Sequence, residues 1–158
     1  ALARETGESV NLAVPLGREA LYLDQVEGTK LVRLFTAPGS RAPLHATGVG
    51  KVFLAYLGVP EGLSLTPYTP HTLTRLPDLL RELEAVRGRG YALDNEEKEL
   101  GVRCVAAPVF GASGGVVAAL SLSAPASRLS LEEAHRLAPR VVEAARRASL
   151  RLGYTGEV

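Results

Sequence analysis

The chain has 158 residues, 46% of them hydrophobic and 22% charged, with a formal net charge of +1. That length suits one domain with a single core. The charge balance is too even for a nucleic-acid surface, and no apolar run is long enough to span a bilayer. One cysteine cannot close an internal disulfide, so a reducing cytoplasm is the expected compartment. Methionine is missing altogether, so the chain reads as a piece of a longer protein.

Residues 1 to 8 are polar and read as the end of a helix. Val10, Leu12, Val14 and Leu16 then alternate as a strand does. Ala20 to Val26 and Lys30 to Phe35 are two further predicted strands, parted by the turn residues Glu27, Gly28 and Thr29, which makes an antiparallel meander. From Thr36 to Thr47 the prolines and glycine predict irregular chain. A helix is expected over Gly48 to Leu57 with Thr47 as its N-cap. Its glycine-flanked start leaves backbone N–H groups bare and attractive to an anion, although the spacing is not that of a phosphate-binding P-loop. Lys51, one turn in, is placed to pair with an acidic residue or to draw anions.

Leu63, Leu65 and Tyr68 are expected to pack on the main body. Leu76 to Arg87 reads as a packing helix begun at Pro77 and closed by Gly88 and Gly90, with a stripe of Leu76, Leu79, Leu80, Leu83 and Val86. A short strand at Tyr91 to Leu93 leads to Asp94 and a loop in which Glu96, Glu97 and Glu99 are expected to be solvated. The last helix starts at Ser130 in a capping box. Leu131, Ala138, Val141, Val142, Ala145 and Leu152 form its predicted stripe, its five arginines lie on solvated positions, and Pro139 predicts a bend.

Between these helices lies the stretch with the most chemistry. Gly115 to Ala124 alternates, with Val116, Ala118, Leu120 and Leu122 on a bulky face and Val117, Ala119, Ser121 and Ser123 on the other. Arg103 to Phe110 is a second β-like run, joined to the first through Gly111 to Gly115. Folding the two into a hairpin brings Cys104 to within about one residue of the Ser121 to Ser123 level. A bulge is expected at Pro108, which cannot donate to a ladder.

The same stretch resembles the signature of the IclR-family transcriptional regulators in their C-terminal effector-binding domain. Gly90, Asp94, Glu97, Cys104-Val105-Ala106 and Val109-Phe110 follow that pattern in spacing and residue class, and Gly111 departs from it where Asp or Asn is usual. Leu44 to Lys51 is similar to the family's second characteristic segment, and with Ser123 to Ser130 the resemblance covers essentially the whole chain. It implies an α+β, GAF-like domain over residues 1 to 158, with an antiparallel sheet of five or six strands and helices packed on it. The family's N-terminal winged helix-turn-helix domain would be absent from this chain, and DNA would be reached only through it.

The resemblance also implies a function and a site. The expected effector-binding residues are Gly48, Val49, Asp94, Cys104, Ser121 and Ser123, with Leu31, Leu34 and Val102 as pocket wall. A carboxylate held by the serines and the helix start would repel an ionised Asp94. The effector is therefore expected to be a small keto or hydroxy acid with one anionic and one hydrogen-donating end. The partners implied are that acid and further copies of the chain, as a dimer or tetramer. No cofactor, membrane or metal is implied, because His45, His71, His135 and Cys104 lack metal-ligand spacing.

Two other readings remain open at this level. One is a hydrolase using Cys104, His45 and Asp94, although no oxyanion motif accompanies the cysteine. The other is a ligand-free oligomerisation module. Taken alone, a single free cysteine is more often a buried structural group, and His45 beside Pro43 and Leu44 is more often a local hydrogen-bonder than a base.

Overall fold

The computed structural model describes residues 2 to 26 and 38 to 156. The strand predicted over Lys30 to Phe35 and the wall residues Leu31 and Leu34 lie outside the described residues. In chain order the elements are α1 (Leu2–Thr6), β1 (Ser9–Leu16), β2 (Glu19–Val26), β3 (Arg41–Pro43), α2 (Gly48–Leu57), α3 (Leu76–Arg89), β4 (Ala92–Asn95), β5 (Val102–Phe110), β6 (Val116–Pro125) and α4 (Leu131–Arg151). The six strands form one sheet in the order β3-β2-β1-β6-β5-β4, and every pairing is antiparallel. This is the expected α+β architecture. Within the stretch predicted to be irregular, Arg41 to Pro43 pairs with Glu19 to Leu21 as a short strand.

Both faces of the sheet are covered where β5 and β6 run. On one side α2 and α3 bury Val49, Val52, Phe53, Leu79, Leu83 and Val86 against the sheet. The sheet surface they meet is unusually small in its side chains: Ala13, Ala20, Ala42, Ala92, Ala106 and Ala119 belong to the same cluster. On the other side α4 packs Ala134, Ala138, Val141 and Ala145 onto Val105, Val109, Ala118 and Leu122. With neither face in water, β5 loses the alternation of a half-buried strand, and Val105 to Val109 are all buried.

The double cover corrects the predicted facing of β6. Ala118, Leu120, Leu122 and Ala124 do turn to one side, toward α4, but Val116 joins Ala119 on the α2 side and Val117 is exposed. The cause is a bulge. The β5–β6 register runs evenly through Pro108↔Ala119 and shifts between Val109 and Phe110, so Val117 has no opposite number. The irregularity thus falls two positions from where the proline placed it, and Val117 cannot line a cavity.

The helices start and stop for local reasons. Thr47 caps α2, its hydroxyl accepting the Gly50 N–H at 3.1 Å. Arg75 precedes α3, with proline in its first turn, and Gly90 closes it at φ 85°, a left-handed conformation that suits glycine. Of the predicted α3 stripe only Leu79, Leu83 and Val86 are buried; Leu76 and Leu80 are each 47% exposed. In α4, Ser130 accepts the Glu133 N–H, and the helix continues through Pro139 to Arg151. Its buried line is Ala134, Ala138, Val141, Ala145 and Ser149, while Leu131 and Leu152 at its two ends are exposed.

The entry of α2 is tightly constrained. A Cβ on Gly50 would lie 2.4 Å from the Leu44 carbonyl oxygen and 2.5 Å from Leu44 Cα, and one on Gly48 would lie 3.1 Å from Ala106 Cβ. Because backbone atoms cannot swing aside, Gly50→Ala is expected to destabilise the fold by about 3 kcal/mol. Urea unfolding followed by circular dichroism checks this, and an unchanged midpoint would show that α2 can withdraw from Leu44 at little cost.

Candidate functional site

The antiparallel register sets three polar side chains in one row across the sheet. Asp94 on β4 is opposite Cys104 on β5, and Cys104 is opposite Ser123 on β6. The next row, two residues along, holds Ala92, Ala106, Ser121 and Asn11. Period-two geometry gives both rows the same face, the one covered by the start of α2.

Over the first row opens a cavity of about 130 Å³. Asp94, Cys104, Ser123 and Val102 line it as expected from the sequence, together with Tyr22, Ser40, Arg41, Ala42, Thr47, Lys98 and Glu99. Ser121 is 2% exposed and sits one row deeper, outside the lining. Val49 is not a wall residue either: its side chain is 1% exposed and belongs to the core between α2 and the sheet. Gly48 does border the site, since a Cβ there would be 3.8 Å from Cys104 Cβ. In the first turn of α2, Gly50 N–H goes to the Thr47 hydroxyl and Lys51 N–H to the Thr47 carbonyl. Helix geometry leaves the Gly48 and Val49 amides without intrahelical acceptors.

Tyr22 is the main residue that sequence reasoning missed. It reaches the cavity because β1 and β2 shift register between Leu12 and Ala13, which sets Tyr22 opposite Ala13 and turns it inward. Gly39 N–H donates to its carbonyl, and its own N–H donates to the Ser40 carbonyl, which brings Ser40 and Arg41 alongside. Asn11 was also missed; its amide donates to Ser123 Oγ at 3.4 Å. No strand-level signal in the sequence marks a bulge at Leu23, the residue of β2 that the shift leaves without an opposite number.

The titrating groups of the cavity are held toward their neutral forms. Burial and then the Glu97 carboxylate raise Asp94 to about 7, against the pull of the Glu97 backbone N–H and Lys51. Burial and then Asp94 push the Cys104 thiol far up, partly opposed by its 3.1 Å hydrogen bond with Ser123 Oγ. The Tyr22 phenol is pushed up by burial, with Cys104 and Asp94 adding to it. Near neutral pH the cavity floor is therefore a set of S–H and O–H groups beside a partly protonated carboxyl.

The acidic loop is not the solvated run that its composition suggests. Glu97 is 5% exposed, both its carboxylate oxygens lie 3.0 Å from Lys51 Nζ, and its N–H donates to Asp94 Oδ1 at 2.8 Å. Glu96 pairs with Arg103 at 3.3 Å, while Glu99 stays exposed at the cavity rim. His45 is buried, with Nε2 at 2.8 Å from the Thr66 carbonyl and its ring against Tyr68. It belongs to a different groove from Cys104, so no Cys-His-Asp triad is assembled. Among the described residues no group of three or more His, Cys, Asp or Glu is arranged to hold a metal ion. No helix among them is long and apolar enough to cross a membrane.

With this geometry in view, the relatives are informative. Residues 1–150 match the family described as "Bacterial transcriptional regulator IclR C-terminal". This chain belongs to the IclR family. The IclR-type domain is 40% identical over 159 residues to the HTH-type transcriptional regulator XynR of Escherichia coli strain K12, covering 97% of this chain and 63% of XynR. It superposes on the crystal structure of the Thermotoga maritima IclR with a TM-score of 0.87 and 38% identity, covering 97% of this chain and 64% of that one. It also matches the inducer binding domain of the Acinetobacter transcription factor PobR, in a double-mutant complex with 3-hydroxybenzoic acid. That match has a TM-score of 0.82 and 29% identity, over 96% of this chain and 91% of that one. The chain thus spans less than two thirds of XynR, and these relatives are transcriptional regulators, not enzymes.

Two measurements follow for this IclR-family site. Asp94 titrates near 4 in the unfolded chain and at about 7 when folded. The folded state therefore binds the extra proton between those values, and the contribution of Asp94 to stability is fully present below about pH 4 and is lost as pH rises to about 7. The fall is at most about 4 kcal/mol. Asp94→Asn, which keeps the acceptor for Glu97 N–H, is expected to remove that slope in denaturant unfolding run at several pH values; an identical slope would place the charge elsewhere. Cys104 is expected to resist iodoacetamide at neutral pH in the native protein and to react after unfolding. Rapid native labelling, read by mass spectrometry, would reveal a thiolate.

Proposed function

We propose that this domain is the signal-sensing part of a transcriptional regulator, binding a small keto or hydroxy acid above Asp94, Cys104 and Ser123. The observation that carries the reading is the donor character of a small enclosed site. Burial keeps Asp94, which would be fully ionised in water, partly protonated near neutral pH and keeps the Cys104 thiol neutral, next to a helix start whose first two amides have no intrahelical acceptor. A carboxylate entering such a site meets hydrogen-bond donors and the positive end of α2. A second oxygen on the ligand can then share the Asp94 proton. The volume of about 130 Å³ is small beside the ~300–1,000 Å³ of drug-sized pockets, which favours acids of a few carbons. PobR's complex with 3-hydroxybenzoic acid supports the same chemical class, one carboxyl and one hydroxyl, in a domain of this fold.

In this reading residues 1 to 158 form the effector-binding unit, and an N-terminal winged-helix domain outside this chain contacts DNA in the cytoplasm. The domain self-associates as a dimer or tetramer. The acid alters DNA affinity to the extent that it binds two arrangements of the protein unequally. The even charge balance supports leaving DNA contact to another domain. A polar cavity is unnecessary in a pure oligomerisation module, which makes that alternative the weaker account.

The test is a thermal-shift titration of the chain with pyruvate, lactate and related short acids. A binding acid at about a hundred times its dissociation constant stabilises the native state by about 2.7 kcal/mol. Ser123→Ala and Asp94→Ala are expected to abolish most of that shift. An equal shift in both variants would move the binding site elsewhere.

A further inference from the structure

Lys51 is 0% exposed on α2, where a long cation is costly to bury unless it is paired. It is paired twice, with both Glu97 oxygens at 3.0 Å and with Glu82 on α3 at 3.4 Å. Glu82 in turn takes Arg89 at 3.2 Å. Glu97 is itself hydrogen-bonded to the Asn95 N–H through Oε2 at 2.9 Å, and it carries the N–H that holds Asp94 Oδ1 at 2.8 Å. Thr72 adds a hydroxyl to the Glu97 carbonyl. The same lysine donates its backbone N–H to Thr47, the cap of α2 and a lining residue of the cavity. A single residue, through its backbone N–H on one wall and its ammonium group on the other, therefore ties the helix start to the loop that holds the aspartate.

We propose that Lys51 is a positioning residue of the effector site: through Glu97 it fixes Asp94 relative to the first amides of α2 without itself touching the ligand. It is absent from the cavity lining, and its bidentate contact with Glu97 can be kept only if the loop stays closed against α2. For its consequence in binding this assignment rests on the sensing role proposed above; for the placement of Asp94 it does not. The titratable and charged groups around Asp94 are Cys104 from β5, Tyr22 from β2, Arg41 from β3, Lys51 from α2, and Glu97, Lys98 and Glu99 in the loop after it. Glu97 and Lys51 act on its charge in opposite directions, the carboxylate raising its titration and the ammonium lowering it. Removing each should therefore move Asp94 with opposite sign, a signature that general loosening of the fold would not produce.

The experiment follows the Asp94 carboxyl by ¹³C NMR through a pH titration of the 158-residue chain, in the wild type, Lys51→Met and Glu97→Gln, with pyruvate affinity measured calorimetrically on the same samples. In Lys51→Met the Asp94 midpoint is expected to rise by about one pH unit, and in Glu97→Gln to fall. In both, the Gly48 and Val49 amide signals should move while those of α4 stay in place. Pyruvate affinity should drop about tenfold in each variant, as when a supporting partner of a binding side chain is removed. An Asp94 midpoint unmoved in the folded variants overturns the assignment, and so does pyruvate binding equally to all three proteins. Should Lys51→Met fail to fold, Glu97→Gln decides alone: a lowered midpoint with shifted α2 amides supports the assignment, and no change in either removes it. If the midpoints move as stated while pyruvate binds none of the proteins, Lys51 keeps its positioning role and the sensing of short keto acids is what fails.

Discussion

The close approach of α2 to the sheet is the constraint on which the site depends. It needs glycine at two positions of the helix entry, because Gly50 faces the Leu44 backbone and Gly48 faces Ala106. It also needs the alanine-rich sheet surface beneath the helix. A helix held about 10 Å from the sheet by leucines, as in ordinary packing, would leave its first amides far from Cys104. Small residues trade apolar burial for proximity, and the proximity is what gives the polar row across β4, β5 and β6 a ceiling.

That proximity also explains why acidic groups can be kept neutral next to a helix start that attracts anions. Burial raises Asp94 against the Glu97 N–H and Lys51, and raises Cys104 against its hydrogen bond with Ser123. The buried cations nearest the site among the described residues are already committed, Lys51 to Glu97 and Glu82 and Arg103 to Glu96. The result is a cavity floor of S–H and O–H groups beside a partly protonated carboxyl.

Much of this arrangement was legible in the sequence, and the limits have physical causes. Counting residues across the Gly111 to Gly115 turn brought Cys104 close to Ser123, since an antiparallel hairpin transmits register from its turn. The α2 boundaries followed from Thr47 and the spacing of Val52 and Phe53. The facing of Val116 and Val117 did not, because a bulge shifts the period by one and any residue of the strand could host it. Val49 and Ser121 lie on the expected elements with their side chains deeper than the cavity lining, a depth that depends on how closely layers pack. Glu97 looked solvated because composition says nothing of a lysine 46 positions away that claims it. Tyr22 enters through the register shift between β1 and β2, for which the sequence carries no mark.

The two-sided cover of β5 and β6 bears on how such a domain can diversify. Cys104 and Ser123 alternate with Val105 and Leu122, which press on α4, so nearly every change in these strands disturbs one core or the other. The mouth of the cavity is under no such restraint: Arg41, Lys98 and Glu99 all border solvent. Substitution is therefore physically cheapest at the mouth, where a changed side chain alters what enters the cavity without disturbing either core.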